Sequence, residues 1–301
     1  MTTEKYEMKA VYSSSQIKEP FINPKLWRKA GLILLQITMT VILVSFLIPT
    51  LWMISSSLKV STEVFAHPIV WVPKDPHWVN YVKIFEVLPF GRFAWNTVLV
   101  TGLAVLGTIV SSVLVGYSFA RLHWPGRNLF FSLMIATMML PEVITLIPRF
   151  ILFRWLDWID TFNPLIVPFW TGASALYVFL VHQFFRGLPI ELEEAALIDG
   201  ATRIQILTQI LIPLSKPVIA TIAVFALIQH YNSFLEPLIY LNNMNKWTLA
   251  LGIRAINDSN VKNWELVFAA GTFMLAPVLV LFVIAQRYFV QGIAMTGFGG
   301  R

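Results

Sequence analysis

Apolar residues along the chain form six long runs separated by polar segments. A helix needs about 20 mostly apolar residues to cross the hydrocarbon core of a bilayer. The runs are residues 30–58, 93–120, 128–148, 161–185, 217–235 and 266–286, and Glu142 is the one Asp, Glu, Lys or Arg within them. This pattern predicts an all-α polytopic membrane protein with six transmembrane helices over residues 30–291.

The composition agrees with a membrane protein and excludes several other classes. Hydrophobic residues make up 57% of the chain, charged residues 13%, and the mean hydropathy is +0.70, which is too apolar for a soluble globule of this length. The chain has no cysteine, and its five histidines lack the spacing of metal ligands, so we expect no metal site. The net charge of +6 comes without a basic, aromatic-rich face, so we expect no nucleic-acid partner.

The distribution of basic residues predicts the orientation of the chain. The polar residues 1–29 contain six lysines and arginines, and lysine and arginine favour the cytoplasmic side of a membrane. With these residues inside, 13 of the 22 basic residues lie in cytoplasmic segments. Residues 1–29 are thus predicted to be a cytoplasmic tail before an uncleaved first helix, and both termini are predicted to be cytoplasmic.

The polar segment 186–216, between the fourth and fifth runs, predicts two short helices joined by a bend. Its first helix begins with three glutamates, which suit the positive end of a helix dipole: Glu191, Glu193 and Glu194. Asp199-Gly200 ends this helix because glycine readily adopts the left-handed conformation, and Thr202 can cap the second helix. Small residues surround the bend, so another protein could approach closely: Ala195, Ala196 and Ala201.

This segment resembles the EAA loop of the membrane subunits of ABC importers. The resemblance rests on Glu194-Ala195-Ala196, on Asp199-Gly200-Ala201, and on Ile212-Pro213-Leu214 with the following Pro217. Tyr117-Ser118-Phe119-Ala120-Arg121 and the glycine-rich residues 292–301, expected to form a cytoplasmic tail, are similar to the maltose-permease-type, carbohydrate branch. The likeness covers roughly residues 30 to 301.

The resemblance implies an ABC importer permease fold in a prokaryotic cytoplasmic (inner) membrane. It also implies a second permease subunit, two cytoplasmic ATPase subunits that bind ATP and Mg, and an extracytoplasmic solute-binding protein, with lipid around the helices. This chain itself would bind no cofactor and would not be an enzyme. The implied ATPase-coupling residues are Glu193, Glu194, Ala195, Ala196, Asp199, Gly200 and Ala201.

Polar residues inside the runs are candidates for the translocation path, because a charge at the bilayer centre is costly. Glu142 follows Pro141, which disrupts helical hydrogen bonding. Tyr231-Asn232 lies where the family usually has Trp-Asn. The alternative for each residue is an interhelical hydrogen bond that holds the helices together.

The solute and the energy source leave alternatives open. Related proteins carry sugars and oligosaccharides, but also glycerol phosphate and polyols. A GxxxxGK[ST] phosphate-binding loop is absent from the sequence, so the energy must come from a partner or from a gradient. The rival class is a gradient-driven secondary transporter, which would typically show internal repeats or paired broken helices.

Overall fold

The computed structural model describes residues 24–172, 174–257 and 263–297 of the protein. The chain divides into two units, Met1–Trp52 and Met53–Arg301. The described part of the first unit is helical and belongs to α1, Pro24–Ser57. Its apolar side chains are exposed along most of the helix, for example Leu34 and Phe46, as expected for a surface that faces lipid or another membrane helix.

The second unit is helical throughout its regular elements in the described part of the chain, which confirms the all-α prediction. Its first elements are α2 (Ser61–Val64), α3 (Asn80–Val87), α4 (Phe90–Arg121), α5 (Arg127–Thr137), α6 (Glu142–Trp155), α7 (Asn163–Trp170) and α8 (Ala175–Gly187). Then come α9 (Glu191–Ile198), α10 (Arg203–Gln205), a π-helical turn (Ile206–Leu211), α11 (Ile212–Leu214) and α12 (Lys216–Tyr231). The last are α13 (Leu235–Tyr240), a 3₁₀ turn (Met244–Lys246), α14 (Leu249–Asn257) and α15 (Trp264–Gly297).

Helix α4 is the central element of the second unit and packs against α7, α8 and α12. Small residues along α4 allow this close approach, as at many helix interfaces in membranes. A Cβ on Gly107 would lie 2.4 Å from Cδ1 of Trp170 on α7, and a Cβ on Gly116 would lie 2.7 Å from Cγ1 of Val181 on α8. The glycines therefore fix the distance between α4 and its neighbours.

Replacing Gly116 by valine should separate α4 from α8 and destabilise the protein. Overpacking of a well-packed interface typically costs about 1 to 3 kcal/mol. Gly102→Val is a matched control on the same helix, because nothing lies within 4 Å of a Cβ there. We expect thermal unfolding of the purified protein at a lower temperature for Gly116→Val than for Gly102→Val, and equal shifts would contradict this packing account.

Three buried clusters connect α4 to the other helices of the unit. The first joins α4 to α8, the π-helical turn and α12, and includes Tyr117, Phe185 and Leu211. The second joins α4 to α3, α14 and α15, and the third joins it to α6, α7 and α13. Movement of α8 or α12 relative to α4 would therefore disturb buried contacts.

The helices do not reproduce the six predicted spans one for one. Among the described residues, three segments are long and apolar enough to cross a membrane, or four if a bent pair counts as one span: Lys29–Ser57, Phe90–Arg121, Asn163–Gly187, and the pair Arg203–Leu214 with Lys216–Tyr231.

The predicted span 128–148 is two helices, α5 and α6, separated by residues 138–141. Pro141 lacks a backbone N–H and restricts the preceding residue, which explains this break. The count of six is therefore not confirmed.

Two predicted boundaries also differ from the helix ends. Helix α1 begins at Pro24, inside the segment that the sequence assigned to the polar tail 1–29. Helix α15 continues to Gly297 and so includes residues 292–297 of the predicted glycine-rich tail. Residues 298–301 and most of the polar N-terminal segment lie outside the described residues.

Candidate functional site

The predicted bend in segment 186–216 is present, and its geometry follows from local signals. Helix α9 begins at Glu191, has three glutamates in its first turn and ends at Ile198. Gly200 follows in the left-handed region, with φ of +81°. The backbone N–H groups of Gly200 and Ala201 donate to the carbonyl oxygen atoms of Leu197 and Ala196, at 3.1 and 2.9 Å. These bonds close the end of α9 in the way that glycine-terminated helices usually end.

The second helix starts at a reciprocal cap between Thr202 and Gln205. Oγ1 of Thr202 accepts from the backbone N–H of Gln205, and the backbone N–H of Thr202 donates to Oε1 of Gln205 at 2.7 Å. The helical path then runs through the π-helical turn to Leu214 and meets α12 at an angle of 77°. We call α9, the bend at Gly200 and the path from Arg203 to Leu214 the coupling helices.

Glu193 holds the coupling helices to α4 and α8 from the inside. Its Oε1 atom lies 2.9 Å from Nε of Arg121, the last residue of α4, and their side chains are only 2% and 7% exposed. The Arg121 guanidinium also donates to the carbonyl oxygen atoms of Phe185 and Leu188, at the end of α8. Oε2 of Glu193 lies 3.8 Å from Nη1 of Arg203, whose side chain is half exposed. Three helices thus meet at one buried ion pair.

The other predicted coupling residues divide into exposed and buried positions. Glu194, Ala195, Asp199 and Gly200 are exposed, and Ala201 is partly buried. Ala196 is buried against the cluster that includes Tyr117 and Phe185, so it is covered by this chain itself. The exposed set forms a continuous stretch around the bend, whereas Glu193 and Ala196 face the helices beneath it.

Two exposed apolar residues at the bend were missed in the sequence. Ile198 is 86% exposed and Ile204 is 73% exposed, on either side of Gly200. Large apolar side chains exposed beside acidic ones are typical of a protein interface. No signal in the sequence separates them from the buried Ile206 and Leu207 of the same segment.

A groove with several polar groups in a largely apolar lining, which we call the polar groove, lies elsewhere in the second unit, between α6 and the segment from the end of α12 to α13. It has a volume of about 240 Å³. Nη1 of Arg149 on α6 lies 3.3 Å from Oε1 of Glu236 on α13. Gln229, His230 and Ser233 add further polar groups to the lining. A paired charge of this kind in a membrane protein is expected to border a cavity or a solute path rather than lipid.

Two of the residues predicted for the translocation path, Tyr231 and Asn232, lie beside this groove and are not among its lining residues. Tyr231 is buried and its hydroxyl donates to the carbonyl oxygen of Met274 at 3.0 Å, so it joins α12 to α15. Asn232 is exposed, and its side-chain amide donates to the carbonyl oxygen of Ile228. Glu142 is the first residue of α6, and its side chain lies outside the described residues. Sequence reasoning missed Arg149 and Glu236, because their pairing appears only when α6 and α13 meet in space.

Asp160 joins two loops near the end of α4 that is farther from the coupling helices. Oδ1 of Asp160 accepts the backbone N–H groups of Asn242 and Asn243 at 3.0 and 2.9 Å, and Nζ of Lys246 lies 3.1 Å from Oδ2. The pKa of the Asp160 carboxyl group lies below its usual value, chiefly because the Asn243 N–H donates to it. Partial burial raises this pKa, whereas Lys246 and the Asn242 N–H lower it further. The carboxylate thus fastens the loop after α6 to the loop after α13.

Asp160→Asn should remove the ionic part of this fastening and keep the amide oxygen as an acceptor. Because the folded-state pKa is depressed, the ionic contribution is present above the unfolded pKa of about 3.9 and is lost as the pH falls through the folded value. We expect the variant to unfold at a lower temperature than the parent at pH 7, with a difference that shrinks below about pH 4. Asp160 has φ of +58°, so Asp160→Ala should cost more, since asparagine tolerates this conformation better than alanine. A difference that is independent of pH would contradict the account.

The described residues contain no group of three or more His, Cys, Asp or Glu side chains that could hold a metal ion.

Comparison with known proteins identifies the family. The family model for the inner membrane component of binding-protein-dependent transport systems matches residues 112–295, more than half of the chain. The permease protein SmoH of the sulfoquinovosyl glycerol transport system of Agrobacterium fabrum is 33% identical over 88% of this chain and 93% of its own length. The arabinooligosaccharide permease AraQ of Halalkalibacterium halodurans is 31% identical over 84% of this chain and 91% of its own.

A solved structure supports the same fold. A bacterial ABC transporter involved in the import of the acidic polysaccharide alginate contains a chain that superimposes with a TM-score of 0.78 at 23% identity, covering 90% of this chain and 100% of that one. The chain therefore belongs to the inner membrane components of binding-protein-dependent transport systems, the permease family that its sequence resembled.

Proposed function

We propose that this chain is the permease subunit of an ATP-driven importer for a sugar or an oligosaccharide. It pairs with a second permease subunit, and two cytoplasmic ATPase subunits bind ATP and Mg against the coupling helices. An extracytoplasmic solute-binding protein delivers the solute at the opposite end. Both termini then lie in the cytoplasm, on the side of the coupling helices.

One observation carries the proposal: an exposed bend is tied from beneath to α4 and α8 by a buried ion pair. The exposed acidic residues Glu194 and Asp199 suit a basic groove on a partner, and Ile198 and Ile204 suit an apolar pocket within it. A force on the bend reaches α4 and α8 through Glu193 and Arg121. It reaches α12 through the 77° junction after Leu214.

The same junction relates the ATPase side to the solute side. Helix α12 begins at the coupling helices and ends at the polar groove of Gln229, His230 and Ser233. A tilt of α12 against α4 and α15 would therefore change the opening of this groove. We propose that such tilting exposes the groove to alternate sides of the membrane as ATP binds and is hydrolysed.

The nature of the solute is inferred from the relatives and the groove. The relatives are named for a glycosyl glycerol and for arabinooligosaccharides, and another, UgpE of Pectobacterium atrosepticum, is named for glycerol-3-phosphate. The groove offers amide, hydroxyl and charged groups that can bind hydroxyl-rich molecules. A sugar or oligosaccharide is our first choice, and glycerol phosphate or a polyol is the second.

Uptake into proteoliposomes tests the proposal. The chain would be purified with its partner subunits, reconstituted with ATP and Mg inside the vesicles, and supplied with labelled solutes and the binding protein outside. We expect uptake of a sugar or oligosaccharide that requires ATP hydrolysis and survives dissipation of ion gradients. Uptake that followed a sodium or proton gradient without ATP would instead indicate a secondary transporter, and uptake of glycerol phosphate alone would favour the second solute class.

A further inference from the structure

A basic pocket lies beside the coupling helices, where the end of α4, the start of α5 and the end of α8 meet. Its volume is about 330 Å³. Five basic side chains line it, namely Arg121, His123, Arg127, His182 and Arg186, and no aspartate or glutamate is among its lining residues. Neither the coupling contact nor the polar groove described above uses this pocket.

Most of the positive charge in this pocket is not neutralised within the described residues. Arg121 is paired with Glu193. Arg127 donates to the carbonyl oxygen of Leu122 at 3.1 Å and lies 3.4 Å from the side-chain oxygen of Asn128, both uncharged groups. Arg186 is exposed and forms no ion pair in the described part of the chain. The pocket is therefore suited to an anion.

His182 lines the pocket and carries a buried polar atom without a hydrogen-bond partner among the described residues. Its side chain is 95% buried, with a relative exposure of 5%, and its Nδ1 atom has no hydrogen-bond partner among the described residues. A buried polar atom without a partner is unfavourable, because the hydrogen bonds it made with water are not replaced. The ring lies against Phe131, with centroids 4.2 Å apart, so it is held at the wall of the pocket. The imidazole ring therefore adds a polar group to the wall of the basic pocket.

The surroundings of the pocket favour an amphiphilic anion over a small soluble one. Helix α5 begins at the pocket with Arg127, and the N-terminus of a helix favours negative charge. Along the same helix, Leu129, Phe130 and Leu133 are each more than half exposed. A head group in the pocket would thus place its acyl chains beside these apolar residues. Basic pockets between membrane helices on the cytoplasmic side bind acidic lipid head groups in other proteins.

We propose that this basic pocket binds the phosphate head group of an anionic phospholipid, with Arg127 and Arg186 as its ligands and His182 in its wall. The assignment of this lipid to the cytoplasmic leaflet rests on the proposed function, which places the coupling helices inside. Arg121 lines the pocket and also holds Glu193, so the bound lipid would lie directly beside the link between α4 and the coupling helices.

Lipid retention by the purified assembly tests this proposal. Native mass spectrometry would compare phosphatidylglycerol with phosphatidylcholine on the parent, on Arg127→Gln/Arg186→Gln, and on Arg154→Gln as a control. Arg154 is an exposed arginine at the end of α6, outside the lining of the pocket. Each basic residue contributes about 1 kcal/mol to the binding of an anionic lipid, so the double variant should retain phosphatidylglycerol roughly ten- to thirtyfold more weakly than the parent. Arg154→Gln should match the parent.

Further measurements decide the other outcomes. If the double variant does not assemble, Arg186→Gln alone can replace it. This substitution alters an exposed side chain, so it should keep the fold and still weaken the retention of phosphatidylglycerol. A photoactivatable phosphatidylglycerol should label residues 127–133 of the parent. Equal retention of both lipids by all three proteins would overturn the proposal, and so would displacement of the label by millimolar inorganic phosphate, which would indicate a site for free phosphate. Because lipid retention does not require transport, its failure would leave the proposed import function intact.

Discussion

Glu193→Gln should both destabilise the protein and uncouple ATP hydrolysis from transport. The substitution keeps the size of the side chain but leaves the charge of Arg121 unpaired in a site where the two side chains are 7% and 2% exposed. Removing one partner of a buried ion pair typically costs about 3 to 5 kcal/mol. We expect a lower unfolding temperature of the purified assembly and loss of most solute-stimulated ATP hydrolysis in proteoliposomes.

Glu194→Gln is the matched control, because it makes the same chemical change at the adjacent, exposed position. It should change the free energy of unfolding by no more than about 0.5 kcal/mol, while it weakens the contact with the ATPase subunits. If both variants had the same small effect on unfolding, the buried ion pair would not be the link described here.

A double variant separates the ion pair from the other contacts of Arg121. Replacing both partners, with Glu193→Leu and Arg121→Met, removes the unpaired charge and should recover part of the lost stability. Recovery should be incomplete, because Arg121 also donates to the carbonyl oxygen atoms of Phe185 and Leu188. Losses that simply add would show that the two residues act independently.

Gly200→Val should abolish most ATP-driven transport while leaving the helices of the membrane domain folded. At φ of +81°, the left-handed conformation costs an ordinary residue about 1 to 2 kcal/mol, and it is least accessible to a β-branched one. A Cβ at this position would meet nothing within 4 Å, so the effect comes from the backbone rather than from a clash. The bend would shift, and the exposed residues on its two sides would lose their relative positions.

A graded series at position 200 checks this interpretation. Asparagine tolerates the left-handed region better than alanine, and alanine better than valine, so uptake rates should fall in the order Asn, Ala, Val. Gly187→Ala is the control, since that glycine also has open space around it but lies in a right-handed helix. Equal uptake by all three variants at position 200 would mean that the bend does not depend on the conformation of Gly200.

The fold of the coupling helices could be predicted from the sequence because its signals are local. Glutamates start α9, Gly200 ends it, and Thr202 caps the next helix, all within one short segment. The different roles of Glu193 and Glu194 could not be predicted in this way. They are adjacent and chemically identical, and only the packing of α9 on distant Arg121 buries one and exposes the other.

The membrane helices show a similar limit of sequence reasoning. Hydropathy locates apolar segments, but it averages over the break before Pro141 and over the bend between Leu214 and α12. The charged pair of the polar groove could not be predicted, because it combines Arg149, which the sequence assigned to a loop, with Glu236 beyond the fifth apolar run. Such ion pairs depend on which helices pack together, and hydropathy and local motifs do not predict that packing.

We expect the exposed side of the coupling helices to contact the ATPase subunits while their buried side contacts α4 and α8. The chain has no native cysteine, so single cysteines can carry a thiol-linked photo-crosslinker at chosen positions. Ala195 and Ala196 form an adjacent pair, one exposed and the other buried. Crosslinkers at positions 195 and 199 should attach to the ATPase subunits, whereas Ala196→Cys should stay unlabelled or attach within its own chain. This arrangement would be contradicted if positions 195 and 199 gave no ATPase crosslink in an assembly that hydrolyses ATP in response to solute.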